Sequence, residues 1–147
     1  MKTKTILPID LLALGEKDSY HLLVTGMVDG CSYNLLIDTG ASHTIFDKGL
    51  MLQAPDIETG DLKIESAGIQ AGDLNSSFGF IKDFQLGDLK RKDWTVVTID
   101  LEHVNQLYSR FTDKHVSGLI GSDFLLKYNA TIDYRKKELT LRNIRKN

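Results

Sequence analysis

One short stretch joins an apolar segment directly to a single acid and then to small residues. It reads LLIDTGAS and occupies residues 35–42, with Asp38 as the acid. A carboxylate at the buried end of a strand needs hydrogen bonds, because desolvating a lone charge is costly. The Thr39 hydroxyl and the backbone N–H groups from Gly40 onward can supply them, and the small Ala41 leaves room for another segment or a substrate. The pattern fits a carboxylate that moves protons in catalysis, or an ordinary turn that ends a strand.

A second element with related features lies far downstream. The apolar residues Leu119 and Ile120 lead directly into Gly121. Ser122 stands where a helix N-cap is expected, so the sequence predicts a short helix that begins there and ends near Tyr128.

Most of the chain consists of short apolar runs separated by Gly, Asp and Asn, which is typical of β-structure. Asp29-Gly30 predicts a tight hairpin turn, because both residues tolerate positive φ. Apolar residues at steps of three and four predict one amphipathic helix over residues 101–111. Phe78, Phe80 and Phe84 alternate, which predicts one buried strand face, and no clear strand begins before about residue 20. The predicted strands comprise residues 21–28, 31–37, 44–46, 63–67, 77–84, 94–99, 130–134 and 138–141.

The composition restricts the class of protein. The chain has 147 residues, which suits one domain, and 41% of them are hydrophobic and 26% charged. A net charge of −2 argues against a nucleic-acid binder or a protein that binds anionic membranes. Cys31 is the single cysteine, so no internal disulfide can form, and no apolar run reaches transmembrane length. We therefore expect a cytoplasmic protein, while a piece of a longer polyprotein or multidomain protein remains an alternative.

Taken together, the two elements give the chain a family resemblance. Residues 36–41, Leu-Ile-Asp-Thr-Gly-Ala, and residues 119–121, Leu-Ile-Gly, match the two signature elements of the retropepsin-like aspartic proteases. The resemblance covers about residues 20–142 and implies a mostly β, closed β-barrel-like acid protease fold, a single lobe with one or two short helices. It implies one domain over 1–147, with residues 1–19 as an N-terminal extension. Leu119, Ile120 and Gly121 would then pack under the site.

The resemblance also implies an activity, an aspartic endopeptidase that needs no cofactor or metal. Two facing carboxylates share one proton in this family and activate a water between them. This chain has one Asp-Thr-Gly, so Asp38 would pair with its copy in a homodimer, with Thr39, Gly40 and Ala41 as support. Whether residues 3–7 and 139–141 interleave between the two copies stays open. The candidate flap over a peptide or protein substrate is the hairpin tip formed by Gly68, Ile69, Gln70, Ala71 and Gly72.

Other interpretations are weaker. The main alternative is a catalytically inactive protease-fold module that binds peptides or dimerises, because a fold does not guarantee activity. Cys31 follows a hairpin turn without a context that would activate a thiol. The four histidines lack metal-ligand spacing, and His43, close behind the motif, suits a surface or loop-bracing role better than catalysis.

Overall fold

The computed structural model describes residues 2–15, 19–50 and 76–144. These residues form a mostly β structure with two short α-helices and one 3-10 helix at Lys48–Leu50. The strands are β1 (Lys2–Pro8), β2 (Asp10–Ala13), β3 (Tyr20–Val28), β4 (Cys31–Ile37), β5 (Ile45–Asp47), β6 (Ser77–Leu86), β7 (Leu89–Ile99), β8 (Val116–Ile120), β9 (Thr131–Asp133) and β10 (Glu138–Ile144). The helices are α1 (Glu102–Tyr108) and α2 (Ser122–Lys127).

Six strands close into a barrel. The order is β3-β4-β8-β5-β7-β6, and β6 returns to β3 through the pairs Met27 with Gln85 and Val28 with Phe84. Strand β2 pairs antiparallel with the first residues of β3, Tyr20 to Leu23, and extends the sheet beyond the barrel. Closure removes most free sheet edges, so one small domain can hold a stable β core. The predicted mostly β, closed-barrel fold with one or two short helices is confirmed.

The hairpin between β3 and β4 has the predicted turn. Asp29 and Gly30 have φ angles of 47° and 87° between the paired residues Val28 and Cys31. Positive φ at both central positions gives a turn whose twist matches that of the flanking strands. This hairpin sets the register of β4 and therefore the position of Asp38 at its far end.

The N-terminal segment contributes more to the fold than the sequence suggested. Strand β1 pairs antiparallel with β10, with Thr5 opposite Leu141, and β9 completes a three-stranded sheet. The expectation of no strand before about residue 20 was wrong, since β1 and β2 both lie there. Residues 3–7 and 139–141, whose exchange between copies was left open, pair within one chain.

An aromatic cluster forms the core beneath β8 and α2. The ring centroids of Phe84 and Trp94 lie 5.1 Å apart, and those of Phe46 and Trp94 lie 5.6 Å apart in an edge-to-face arrangement. Phe124 of α2 packs against Phe84 at 6.0 Å. Such pairs contribute about 0.5–1.5 kcal/mol each beyond their buried area. They fix α2, and with it the loop that precedes this helix, against the barrel.

The predicted apolar face of β6 differs from the structure. On β6, Phe84 is buried but Phe80 is 42% exposed, because the consecutive residues Lys82 and Asp83 both face solvent and reverse the alternation. The facing strand is distorted at the same level, where Asp93 has a φ of 52°. The prediction of one buried phenylalanine face was therefore wrong.

Helix α1 is shorter than predicted. It spans Glu102–Tyr108, with Leu101 and Tyr108 buried, whereas Leu107 and Phe111 are each 47% exposed. Neither α-helix in the described part of the chain is long and apolar enough to span a membrane.

Candidate active site

Asp38 lies one residue beyond the end of β4. The parallel pairing of β4 with β8 ends at Ile37 and Ile120, and the Asp38 N–H continues it by donating to the Ile120 carbonyl oxygen at 2.9 Å. The Gly40 N–H donates to Oδ1 of Asp38 at 3.1 Å, and the Ala41 N–H donates to the Asp38 carbonyl oxygen at 3.1 Å. The half-buried carboxylate is therefore held by the Gly40 N–H of its own turn, one of the donors that the sequence offered.

Strand β8 runs between the two strands that flank the Asp38 turn. It pairs parallel with β4, Leu36 opposite Leu119, and antiparallel with β5, Ile45 opposite Leu119. The chain therefore passes from β4 through the Asp38 turn to β5 around an inserted third strand. This ψ-shaped arrangement brings residues 38–41 and 119–121 together, and Leu119 and Ile120 are buried beneath the turn.

Gly121 is where the two elements approach most closely. A Cβ atom at this position would lie 2.7 Å from the carbonyl carbon and oxygen of His43 and 2.9 Å from the carbonyl oxygen of Ala41. The Ser122 N–H donates to that Ala41 oxygen at 2.8 Å. Only glycine fits, because the atoms in the way belong to the main chain and cannot move to another rotamer. Helix α2 begins at Ser122 with Gly121 as its N-cap, one residue earlier than predicted, since Ser122 itself was expected to be the N-cap.

Two residues that the sequence analysis did not single out complete this junction. The buried Thr44 hydroxyl accepts the Gly121 N–H at 3.0 Å and donates to Oδ1 of Asp123 at 2.8 Å. The same Oδ1 accepts the Phe124 N–H at 2.8 Å, so it satisfies a backbone donor in the first turn of α2. Asp123 was visible as an acid in the first helical turn, but no local signal connects it with Thr44, which lies far away in sequence.

The surface beside the turn is concave and partly apolar. Thr39 is exposed, and Leu126 of α2, in the same depression, is 80% exposed. The depression is lined by Thr39, Ser122, Leu125, Leu126, Asn129 and Ala130. The exposed Leu126 therefore adds apolar area to the surface beside the motif.

A smaller pocket of about 230 Å³ opens on the other side of the Asp38 turn. His21 lies in its wall, and the hydroxyl of the buried Tyr108 is hydrogen-bonded to Nδ1 of His21. Burial, with a further contribution from the negative charge of Asp38, raises the pKa of Tyr108 to about 12. Helix α1 therefore reaches the surroundings of Asp38, which helical periodicity alone did not indicate.

The remaining candidate residues have plainer positions. The flap candidates, Gly68 to Gly72, and the predicted strand 63–67 lie outside the described residues. Cys31 is exposed at the hairpin corner, and His43 contributes its backbone to the Gly121 contact. Within residues 2–15, 19–50 and 76–144, no group of three or more His, Cys, Asp or Glu side chains could hold a metal ion.

The sequence model of a protein family described as aspartyl protease matches residues 24–124, which is more than half of the chain. The chain belongs to the aspartyl protease family. The matched region begins in β3 and ends in α2, so it contains both the Asp38 turn and Gly121. These are the two elements on which the resemblance to aspartic proteases rested.

A solved structure of a retropepsin-like aspartic protease shares the fold. A crystal structure of a retropepsin-like aspartic protease from Rickettsia conorii matches 97% of this chain and 92% of its own, with a TM-score of 0.52 and 14% identity. The retroviral protease-like domain of Ddi1 from Leishmania major matches 82% of this chain and 87% of its own, with a TM-score of 0.48 and 17% identity. No curated protein sequence matches the chain. The retropepsin-like fold predicted from the two motifs is confirmed.

Proposed function

We propose that the protein is an aspartic endopeptidase whose active site forms between two copies of the chain. The observation that carries this proposal is the position of Asp38, half-buried in a turn that Gly40 and Ile120 hold by hydrogen bonds. Membership of the aspartyl protease family supports the same chemistry. Asp38 belongs to the single Asp-Thr-Gly in the 147 residues.

The proposed mechanism needs a second carboxylate facing Asp38. Two carboxylates in contact cannot both ionise easily, so they share one proton. The ionised member takes a proton from a water held between them, and this water attacks the peptide carbonyl carbon. The protonated member donates its proton to the carbonyl oxygen. Since the chain has one such acid, a two-fold axis beside Asp38 is the simplest way to supply the other.

The surface beside Thr39 is suited to this axis. A partner whose Asp38 faces this Asp38 must also cover the neighbouring Thr39, which is exposed. The depression that contains Thr39 includes the exposed Leu126, so a second copy would bury apolar area there. We propose Thr39 and Leu126 as interface residues of the homodimer.

Leu126→Lys is expected to weaken the dimer by at least about 100-fold, because two-fold symmetry introduces the buried charge twice. Cleavage should fall in parallel at low protein concentration and recover as the concentration rises. Met27→Lys is the matched control, since Met27 is 37% exposed in β3 next to the turn at the opposite end of the hairpin from Asp38. Sedimentation across a concentration series measures the dimer dissociation constant of both variants, and cleavage is measured at the same concentrations. Unchanged dimerisation of Leu126→Lys would contradict this interface.

The side chain at position 41 is expected to set the pH range of the activity. In pepsin-like relatives a serine at this position donates a hydrogen bond that favours the ionised acid, and the resemblance therefore implies activity here from mildly acidic towards neutral pH. Ala41→Ser is expected to move the acidic limb of the pH–rate profile to lower pH. Because Ala41 is fully buried, the unfolding temperature must be measured alongside. An unchanged acidic limb in a folded variant would contradict the assignment.

Digestion of a peptide library from about pH 4 to about pH 7.5, with sedimentation at the same concentrations, tests the proposal as a whole. We expect cleavage that rises with the dimer fraction. A protein that cleaves while monomeric at every concentration would contradict the shared site. A dimer that cleaves no peptide would instead favour the inactive peptide-binding module.

A further inference from the structure

The pocket beside Asp38 has polar and apolar walls in about equal measure, with one hydrogen-bonding group of special interest. His21 contributes this group, and its Nδ1 is hydrogen-bonded to the hydroxyl of Tyr108. The other walls are apolar or phenolic, apart from the Asp38 carboxylate at the edge. The pocket, of about 230 Å³, is lined by Tyr20, His21, Leu22, Leu36, Ile37, Asp38 and Tyr134.

The register of the barrel places His21 at the level of Asp38. Leu23 of β3 is paired antiparallel with Leu36 of β4. Two residues beyond this last pair, on the same side, are His21 of β3 and Asp38, which lies one residue past the end of β4. His21 is paired with Leu12 of β2, so its backbone is held by that neighbouring strand. The pairing with β2 therefore fixes the backbone that carries the His21 imidazole near Asp38.

The hydrogen bond with Tyr108 favours one tautomer of the neutral His21 ring. Its side chain is 1% exposed, and burial followed by the charge of Asp38 raises its pKa to about 12, so the phenol keeps its proton at neutral pH. The phenol O–H can then donate to Nδ1 of His21, its hydrogen-bond partner. With Nδ1 as the acceptor, the proton of the neutral ring must be on Nε2. His21 consequently offers an N–H donor from the other edge of its ring.

We propose that this pocket takes a substrate side chain with an apolar stem and an uncharged acceptor oxygen, as in glutamine, and that His21 donates Nε2–H to that oxygen. This inference rests on the proposed peptidase function. His21 is a specificity residue in this scheme, and Tyr108 is a positioning residue that acts through it.

The chemistry of the walls favours glutamine over the alternatives. A purely apolar side chain would leave the His21 N–H without a partner once the peptide covers the pocket, which costs binding free energy. A carboxylate would lie beside Asp38, and like charges repel. The apolar stem of glutamine can pack on Leu36 and the exposed ring of Tyr134, while its amide group reaches the histidine.

Two peptide pools with a reduced, uncleavable bond test the inference. They differ only at the residues that flank this bond, which are glutamine in one pool and methionine, of similar length but without a carbonyl, in the other. We expect the wild-type protein at about pH 7.5 to bind the glutamine pool at least about fivefold more tightly. Fluorescence anisotropy measures both dissociation constants.

The variants separate a binding role from a structural one. His21→Leu should abolish the preference, whereas His21→Gln, which retains an N–H donor near the position of Nε2, should keep it. Tyr108→Phe keeps the buried ring but removes the hydroxyl that is bonded to Nδ1 of His21. The Nε2–H tautomer is then no longer favoured, so the preference for glutamine should decrease. Tyr128→Phe is the control, because Tyr128 is also a buried tyrosine but is not the partner of His21. Circular dichroism checks that each variant is folded.

Three results would overturn the inference: wild-type protein that binds neither pool, wild-type protein without a preference, or a preference that persists in folded Tyr108→Phe and His21→Leu. Cleavage of the ordinary peptides is measured separately. Preferential binding without cleavage would support the pocket and contradict the peptidase. Cleavage without preference would support the peptidase and overturn the pocket.

Discussion

Asp38→Asn is expected to lower kcat/KM for peptide cleavage by at least about 10³-fold, the largest effect of any single substitution proposed for this chain. An amide can neither take a proton from water nor return one to the carbonyl oxygen. The asparagine oxygen can still accept the Gly40 N–H that now reaches Oδ1 of Asp38, so the turn should keep its shape. Kinetics with a cleaved library peptide measure the loss, and sedimentation should show an intact dimer.

Asp88→Asn is the matched control for this substitution. Asp88 is exposed in the turn between β6 and β7, where its backbone N–H, which asparagine retains, donates to Thr5. The same change of charge there should leave kcat/KM unchanged. Cleavage by Asp38→Asn at the wild-type rate would remove Asp38 from the mechanism.

Gly121→Ala is expected to destabilise the fold by about 3 kcal/mol, which lowers the unfolding temperature by roughly 10 °C. The added methyl would stand 2.7 Å from the main chain of His43 and 2.9 Å from the Ala41 oxygen. Relief requires β8 or the Asp38 turn to shift, so the hydrogen bond from Asp38 N–H to Ile120 should weaken as well. Thermal unfolding by circular dichroism measures the stability, and cleavage well below the unfolding temperature measures the displacement of Asp38.

Gly49→Ala serves as the control for the added methyl. The nearest atom to a Cβ at position 49 is Oδ2 of Asp47, at 3.9 Å and on a flexible side chain. This substitution should change the unfolding free energy by less than about 0.5 kcal/mol. If Gly121→Ala were as stable and active as Gly49→Ala, the close approach of the two elements would not matter for the site.

The parts of the fold that sequence predicted well depend on local chemistry. Asp29-Gly30 indicated its turn because few residues accept positive φ at both central positions, and the structure has both. Asp38, Gly40 and Gly121 were found because their residue types are constrained within a few positions of the chain. The strand Cys31–Ile37 was predicted with its observed bounds for the same reason.

The parts that sequence missed depend on contacts between distant segments. Strand β1 carries weak strand signals of its own and is held by β10, at the other end of the chain. Tyr108 could be assigned to a buried helix face, but periodicity does not say which group its hydroxyl meets, and His21 lies far upstream. Thr44 and Asp123 are joined in the same way, so the inner support of the site became visible only in three dimensions.

The central claim is that Asp38 works as half of a pair across two copies of the chain, and a mixing experiment tests it most directly. Wild-type protein is equilibrated with a threefold excess of Asp38→Asn, above the concentration at which the dimer dissociates. If chains exchange at random and mixed dimers are inactive, activity per wild-type chain should fall to about one quarter. Activity per wild-type chain that stays constant, although sedimentation shows a dimer and exchange is complete, would contradict a site shared between two copies.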